Sequence, residues 1–200
     1  ITQEFISTQT PGQTILQTLN LTPGLSFTNS DSYGSSGGNI RLRGFDGNRV
    51  SLTFDGIPLN DTGNYATYTN QQLDPELIER ASVNTGSTDV NSPTAAATGG
   101  TINYVTRRPA ADFGGWGQFS IGDFDYRRYM FLMDTGEFGP LGTSAWFAVS
   151  NTNYDKFKGR GDLQKTQFNA RIYQPLGDNG DFLSLSGNWN ENRNNNYLGP

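Results

Sequence analysis

The sequence predicts a small α+β unit followed by about five antiparallel β-strands long enough to cross a bilayer. Three observations predict it. Between Asn39 and Pro109, short alternating runs are broken by turn chemistry and one helical turn. From Phe113 onward, runs of about ten residues alternate apolar and polar side chains. Gly-, Asp- and Asn-rich turns separate those runs.

Composition narrows the classes. The 200 residues suffice for one or two domains. There is no Cys and no His, which excludes thiolate chemistry, disulfides, and histidine ligation or catalysis. A net charge of −5 argues against nucleic-acid binding. The longest apolar runs, such as Ala145–Val149, fall far short of the roughly 20 residues of a membrane helix. No signal peptide is recognisable, and Ile1 reads as the start of a mature or truncated chain. Twenty-five Gly would suit disorder, but 13 Phe, 9 Tyr and 3 Trp in periodic positions argue for folding. Barrel strands give the same averages, because half of each faces away from lipid.

Taken in order, Ile1–Thr10 is a polar lead-in. Gly12–Leu25 predicts a short helix with Ile15, Leu16 and Leu19 on one face, stopped by Pro23-Gly24. Asn29–Gly38 is a Ser/Gly loop, flexible by composition. Ile40 and Leu42 share a strand face, with Arg41 and Arg43 opposite; Asp46-Gly47-Asn48 turns the chain. Val50, Leu52 and Phe54 repeat the pattern, and Asp55-Gly56 ends it. Leu59–Gln72 is a polar loop carrying Tyr65 and Tyr68. Pro75 opens one helical turn through Glu79, with Asp74 as N-cap. Strands follow at Ala81–Asn84 and, after Gly99-Gly100, at Thr101–Thr106.

The second half predicts strands around Phe113–Ile121, Arg128–Met133, Ala145–Val149, Gln167–Leu176 and Leu183–Asn190. Gly122–Asp125, Phe138–Gly142 and Gly177–Gly180 are tight turns, and Asn153–Lys165 a longer charged loop. Five strands cannot close a membrane barrel, since closure starts at about eight and an open edge in lipid leaves amides unpaired.

Arg43-Gly44-Phe45, Asp55-Gly56-Ile57-Pro58-Leu59, Ile78-Glu79-Arg80 with Val83 and Gly86, and Gly99-Gly100-Thr101-Ile102-Asn103 with Thr106-Arg107 stand in a distinctive order and spacing. This set resembles the plug domain of TonB-dependent outer-membrane receptors. Gly86–Pro93 departs from the family's usual Gly-Pro after the third strand and Tyr-Gly before the Gly-Gly. The resemblance implies a plug domain over 1–110. Residues 111–200 would be the first strands of an antiparallel transmembrane β-barrel, a fragment of a 22-stranded plugged barrel in the outer membrane of a Gram-negative bacterium. It implies energy-coupled uptake of a scarce nutrient, above all a ferric siderophore or similar metal chelate. TonB would be the partner and outer-membrane lipid the surroundings. No TonB box is recognisable before Gln13. A plugged barrel used for binding or assembly, without transport, is the alternative.

With the first strand rising from the plug, Gly122–Asp125 and Asn153–Lys165 face outside, and the other two turns face the periplasm. Tyr65 and Tyr68, with Ser32, Tyr33, Ser35 and Ser36, are candidate ligand contacts, because such loops combine ring area with hydrogen-bonding groups. Packing of the tyrosines against the barrel wall is the competing reading. The resemblance also marks Arg41, Arg43, Glu79 and Arg80 as plug–barrel contacts. Arg43 and Arg80 would pair with wall carboxylates, Glu79 is a nearer partner, and Arg108 is a minor charge at the junction. No catalytic set, metal site or cofactor is expected. Asp123 and Asp125 read as solvated turn residues, Asp178 and Asp181 complete no calcium loop, and Arg160-Gly161-Asp162 is a coincidental tripeptide.

Overall fold

A computed structural model of the chain describes residues 1–86, 97–157 and 159–195. They form two compact units, Ile1–Arg107 and Arg108–Pro200. The departure at Gly86–Pro93 lies, after Gly86, outside the described residues.

Unit 1 is built on two small sheets. One runs β1 (Leu25–Asn29), β2 (Gly38–Leu42), β3 (Phe45–Asp46). The other has the order β5 (Ile57–Pro58), β4 (Val50–Phe54), β7 (Gly100–Thr106), β6 (Ile78–Asn84), with β4 and β7 parallel. The alternation expected from the sequence is present: Ile40 and Leu42 are buried while Asn39 and Arg41 are exposed. They join Val50, Leu52, Ile102 and Tyr104 in one core. Helix α2 (Ile15–Leu19) supplies Ile15, Leu16 and Leu19 to it. Five residues do not make a stable helix alone; burial of this face holds it.

Several boundaries differ from the sequence expectation. The helix expected over Gly12–Leu25 is only α2, because Leu25 already pairs with Leu42 in β1–β2. The lead-in is ordered: α1 (Gln3–Ser7) buries Ile6, and Ile1 exchanges two 2.9 Å backbone bonds with Ala81 at the edge of β6. The turn opened by Pro75 stops at Leu77 as a 3₁₀ turn, because Ile78 begins β6; Asp74 stands at its N-cap position without a side-chain cap bond. Arg43 is not a strand residue. With φ +53, ahead of Gly44 at +85, it forms the turn between β2 and β3. Apolar alternation marks a strand's face and is silent on where the strand stops.

Unit 2 is a five-stranded antiparallel meander: β8 (Phe113–Gly122), β9 (Tyr126–Thr135), β10 (Ser144–Asp155), β11 (Asp162–Leu176) and β12 (Asp181–Asn194). Among the described residues, each strand pairs only with its sequence neighbours. The charged loop expected over Asn153–Lys165 is mostly ladder. Asn153 pairs with Gln164 and Asp155 with Asp162, leaving only 156–161 between the strands. Its apolar side is a single buried pair, Tyr154 opposite Leu163, flanked by polar residues, so no alternating apolar run marked this hairpin end.

Candidate functional site

Two loops of unit 1 carry the residues singled out for ligand contact. The first, between β1 and β2, is organised rather than loose. Asp31, only 3% exposed, accepts the backbone N–H groups of Tyr33 at 2.9 Å, Gly34 at 2.6 Å and Ser36 at 2.6 Å, and also the Ser36 hydroxyl. Ser30 N–H reaches the Gly37 carbonyl at 2.9 Å and closes the loop's neck. Ser35 is buried; Ser32, Tyr33 and Ser36 are partly exposed. The expected flexibility came from Ser/Gly composition. One buried carboxylate gathering successive amides overrides it.

The second loop, 59–72, hangs from Asn60. Its side-chain oxygen accepts Leu52 N–H at 2.8 Å, and its amide donates to Val50 O at 2.9 Å, Tyr65 O at 3.0 Å and the Thr67 hydroxyl at 3.2 Å. Asp61 then caps Gly63 and Asn64. Tyr65, at φ +59, and Tyr68 project as exposed rings, 42% and 47% accessible. The Thr69 hydroxyl donates to Gly38 O at 3.3 Å, fastening this loop to the end of the first. The structure therefore brings the two candidate loops together through Thr69 and Gly38. The supports Asp31, Asn60 and Thr69 were missed in the sequence. The readable signal was an Asp or Asn at the start of each Gly-bearing polar run.

The four charged candidates, Arg41, Arg43, Glu79 and Arg80, are all on the surface. Arg41 pairs with Asp46 at 3.0 Å, both strongly exposed. Arg43 donates to Thr85 O, and Glu79 and Arg80 are exposed on β6. No ion pair joins Glu79 to Arg80 among the described residues. Inside unit 1 these charges fill no buried pair.

Unit 2 has two unlike faces. One face is largely buried and mixed: Arg128, Ser150, Thr152, Gln167, Asn169 and Arg171 lie there among Met130, Leu132, Trp146 and Tyr154, with Gln118 beside them. Arg128 donates to Gln118 Oε1 at 3.2 Å, and Arg171 to Ser184 Oγ at 2.8 Å. The other face is apolar and open. A row runs across all five strands from Gly117 through Phe131, Val149 and Phe168 to Trp189. Phe131, Val149, Phe168 and Trp189 are 43–52% exposed. Two residues higher, Phe119 and Tyr129 stay aromatic, with rings 4.9 Å apart, while Asn151, Thr166 and Glu191 are polar. Higher still, only Ile121 remains apolar, level with Arg127 and Asn153. The upper edge of the stripe thus descends by four residues from β8 to β10 and is level from there to β12. An apolar edge that slants across the strands in this sense is what strands tilted in a bilayer give. A cavity of about 420 Å³ among Gly117, Phe119, Tyr129, Phe131, Val149 and Asn151 opens on this apolar face, where hydrocarbon rather than cargo would enter.

The TonB-dependent Receptor Plug Domain family matches residues 1–101. The chain belongs to the TonB-dependent receptor family. No curated protein matches the sequence. Among solved structures, the receptor's fold is similar to that of the pyoverdine outer-membrane receptor FpvA of Pseudomonas aeruginosa PAO1 bound to pyoverdine. The TM-score is 0.77 at 20% identity, covering 96% of this chain and 27% of that one. It is also similar to a mutant of the ferric enterobactin receptor PfeA of Pseudomonas aeruginosa in complex with enterobactin (TM-score 0.68, 18% identity, 97% and 33% coverage). A third similar structure is the copper transporter OprC (0.72, 17%, 92% and 28%). The chain therefore spans about a quarter to a third of the length of these proteins, and it holds a plug with antiparallel strands of a plugged barrel. Receptors of this family are transporters rather than enzymes.

Proposed function

We propose that this chain is the plug and first five wall strands of an outer-membrane receptor of a Gram-negative bacterium. Its role is to take up a scarce metal chelate, a ferric siderophore foremost, with energy delivered by TonB. The slanted apolar stripe on unit 2 carries the reading: an open face of Phe, Val, Trp and Leu is costly in water and suited to lipid. The polar ends of β10, β11 and β12 outrun that stripe toward the 156–161 turn, supporting the assignment of that end, with Gly122–Asp125, to the outside.

The proposed cargo surface is the joined pair of plug loops, with Tyr65 and Tyr68 exposed and Ser32, Tyr33, Ser35 and Ser36 on the Asp31-built loop. Arg41, Arg43, Glu79 and Arg80 are solvent-facing in unit 1, which leaves them available to wall carboxylates. Siderophore cargo is favoured because pyoverdine and enterobactin are bound in two of the similar structures; the copper transporter keeps other metal cargo in view. The test is uptake of radiolabelled ferric siderophores by the host and by a strain lacking this gene. Uptake should vanish on deletion, return with the gene, and fail again without TonB. Unaltered uptake of every chelate offered would reject the transport reading and favour binding or assembly.

A further inference from the structure

We propose that residues 108–112 belong mechanically to the wall, and that Arg108 is the positioning residue clasping this linker to the β11–β12 hairpin, so that a displaced plug parts from the wall at Arg107. The displacement itself rests on the function proposed above; the clasp does not.

The division between the two compact units falls between Arg107 and Arg108, and the contacts on either side explain it. Arg107 N–H donates to Leu77 O at 2.9 Å, so this residue is held by unit 1. One residue on, the Arg108 guanidinium lies over the ring of Tyr173 at 5.2 Å and of Phe182 at 5.4 Å. Those rings, on β11 and β12, stack at 5.1 Å with an interplanar angle of 28°. A planar, weakly hydrated guanidinium suits such a site better than an ammonium does. Pro109 then restricts the backbone. Ala110 N–H donates to Asp134 Oδ1 at 2.9 Å, and Asp134 is 5% exposed at the end of β9. Ala111 O accepts Glu137 N–H at 2.8 Å. Gly136, at φ +67, backs so closely on the linker that a Cβ there would lie 2.6 Å from Phe113 N. Three parts of the wall therefore grip five consecutive residues: the β11–β12 ring pair, the end of β9, and the turn after it. A segment with this many ties opens with the wall, not with the plug.

The test is hydrogen exchange on the full-length receptor. Relative to wild type, R108A should speed exchange of the amides of Ala110 and Glu137, which make the linker's two bonds, about tenfold, the scale of two exposed cation–π contacts. Amides in β9 and β11 should not change. Tyr173→Leu with Phe182→Leu should give the same gain, R108A on top of that pair should add nothing, and R108K should recover part of the protection. With the chain pulled through a handle ahead of Ile1, exchange should rise through residue 107 and stay protected at Ala110 and Glu137. Unchanged exchange at Ala110 and Glu137 in both R108A and the ring variant would overturn the clasp, as would residues 100–107 opening together with Ala110 and Glu137 under load. None of these measurements uses cargo or TonB. Lost uptake with this pattern intact would count against the transport reading alone.

Discussion

Asp31 accepts the Gly34 N–H at 2.6 Å, and the same carboxylate gathers Tyr33 and Ser36, so one side chain sets the shape of a whole loop. Asp31→Ala would orphan three amide donors, at about 1–3 kcal/mol for a buried unsatisfied group. The expected outcome is at least a tenfold loss of cargo affinity, with faster exchange at Tyr33–Ser36 and an unaltered melt of the wall. Wild-type exchange in that loop would show that Asp31 does not organise it.

Tyr65 and Tyr68 are half-open to solvent and contribute little to the plug's core. Replacing both by Ala should leave the melting temperature within about 2 °C, as for surface changes of under 0.5 kcal/mol. Cargo affinity, measured by titration calorimetry, should fall about tenfold. Intact affinity in a folded double variant would return both rings to packing against the wall.

Gly100 opens β7 at φ +127, and an added Cβ would sit 2.3 Å from Asn84 O and 2.7 Å from a Leu42 methyl. Gly100→Ala therefore forces the β6–β7 ladder apart. A loss of roughly 3 kcal/mol or more is expected from strain and overpacking together, visible as a proteolysed plug in the assembled receptor. A protease-resistant plug in that variant would contradict the geometry.

Val149 and Asn151 share one face of β10, two residues apart, on either side of the stripe's upper edge. Val149→Arg should cost about 2–4 kcal/mol in folding into bilayers, while Asn151→Arg should cost under about 1 kcal/mol. Urea-unfolding titrations in phospholipid vesicles measure both. Equal costs would remove the membrane boundary from this position.

Tyr104 is buried with its hydroxyl unbonded among the described residues, and burial holds its pKa well above the ordinary tyrosine value of 10.0. Above pH 10 the unfolded chain loses a proton that the folded plug retains, so stability falls as pH rises. Tyr104→Phe should remove that alkaline limb and add about 1 kcal/mol at neutral pH by deleting the unpaired group. Denaturant melts of the receptor at pH 8 and above 10 make the comparison; a destabilised Phe variant would mean the hydroxyl has a partner.

The strands were legible where one face was apolar. Ile40 and Leu42, Val50 and Leu52, and Phe131 and Val149 all fall on the faces their alternation assigned. Legibility failed where hydrogen bonding alone decided. Asn153–Asp155 continues β10 with Tyr154 as its lone apolar side chain, and Arg43 looks like a fourth strand residue until its backbone turns. In the candidate site, exposed tyrosines could be named from composition. The work of Asn60 could not, because its four partners, from Val50 to Thr67, converge only after folding.

In the wall, every ladder joins strands made one after the other, so the sheet can form hairpin by hairpin as the chain emerges. The plug's larger sheet has the opposite schedule. β7, the last of its strands to be made, lies between β4 and β6, and supplies the parallel partner for one and the antiparallel partner for the other. Until synthesis reaches Thr106, β4 and β6 wait with unfilled edges. The plug is thus completed from its middle, at the last moment before the first wall strand begins.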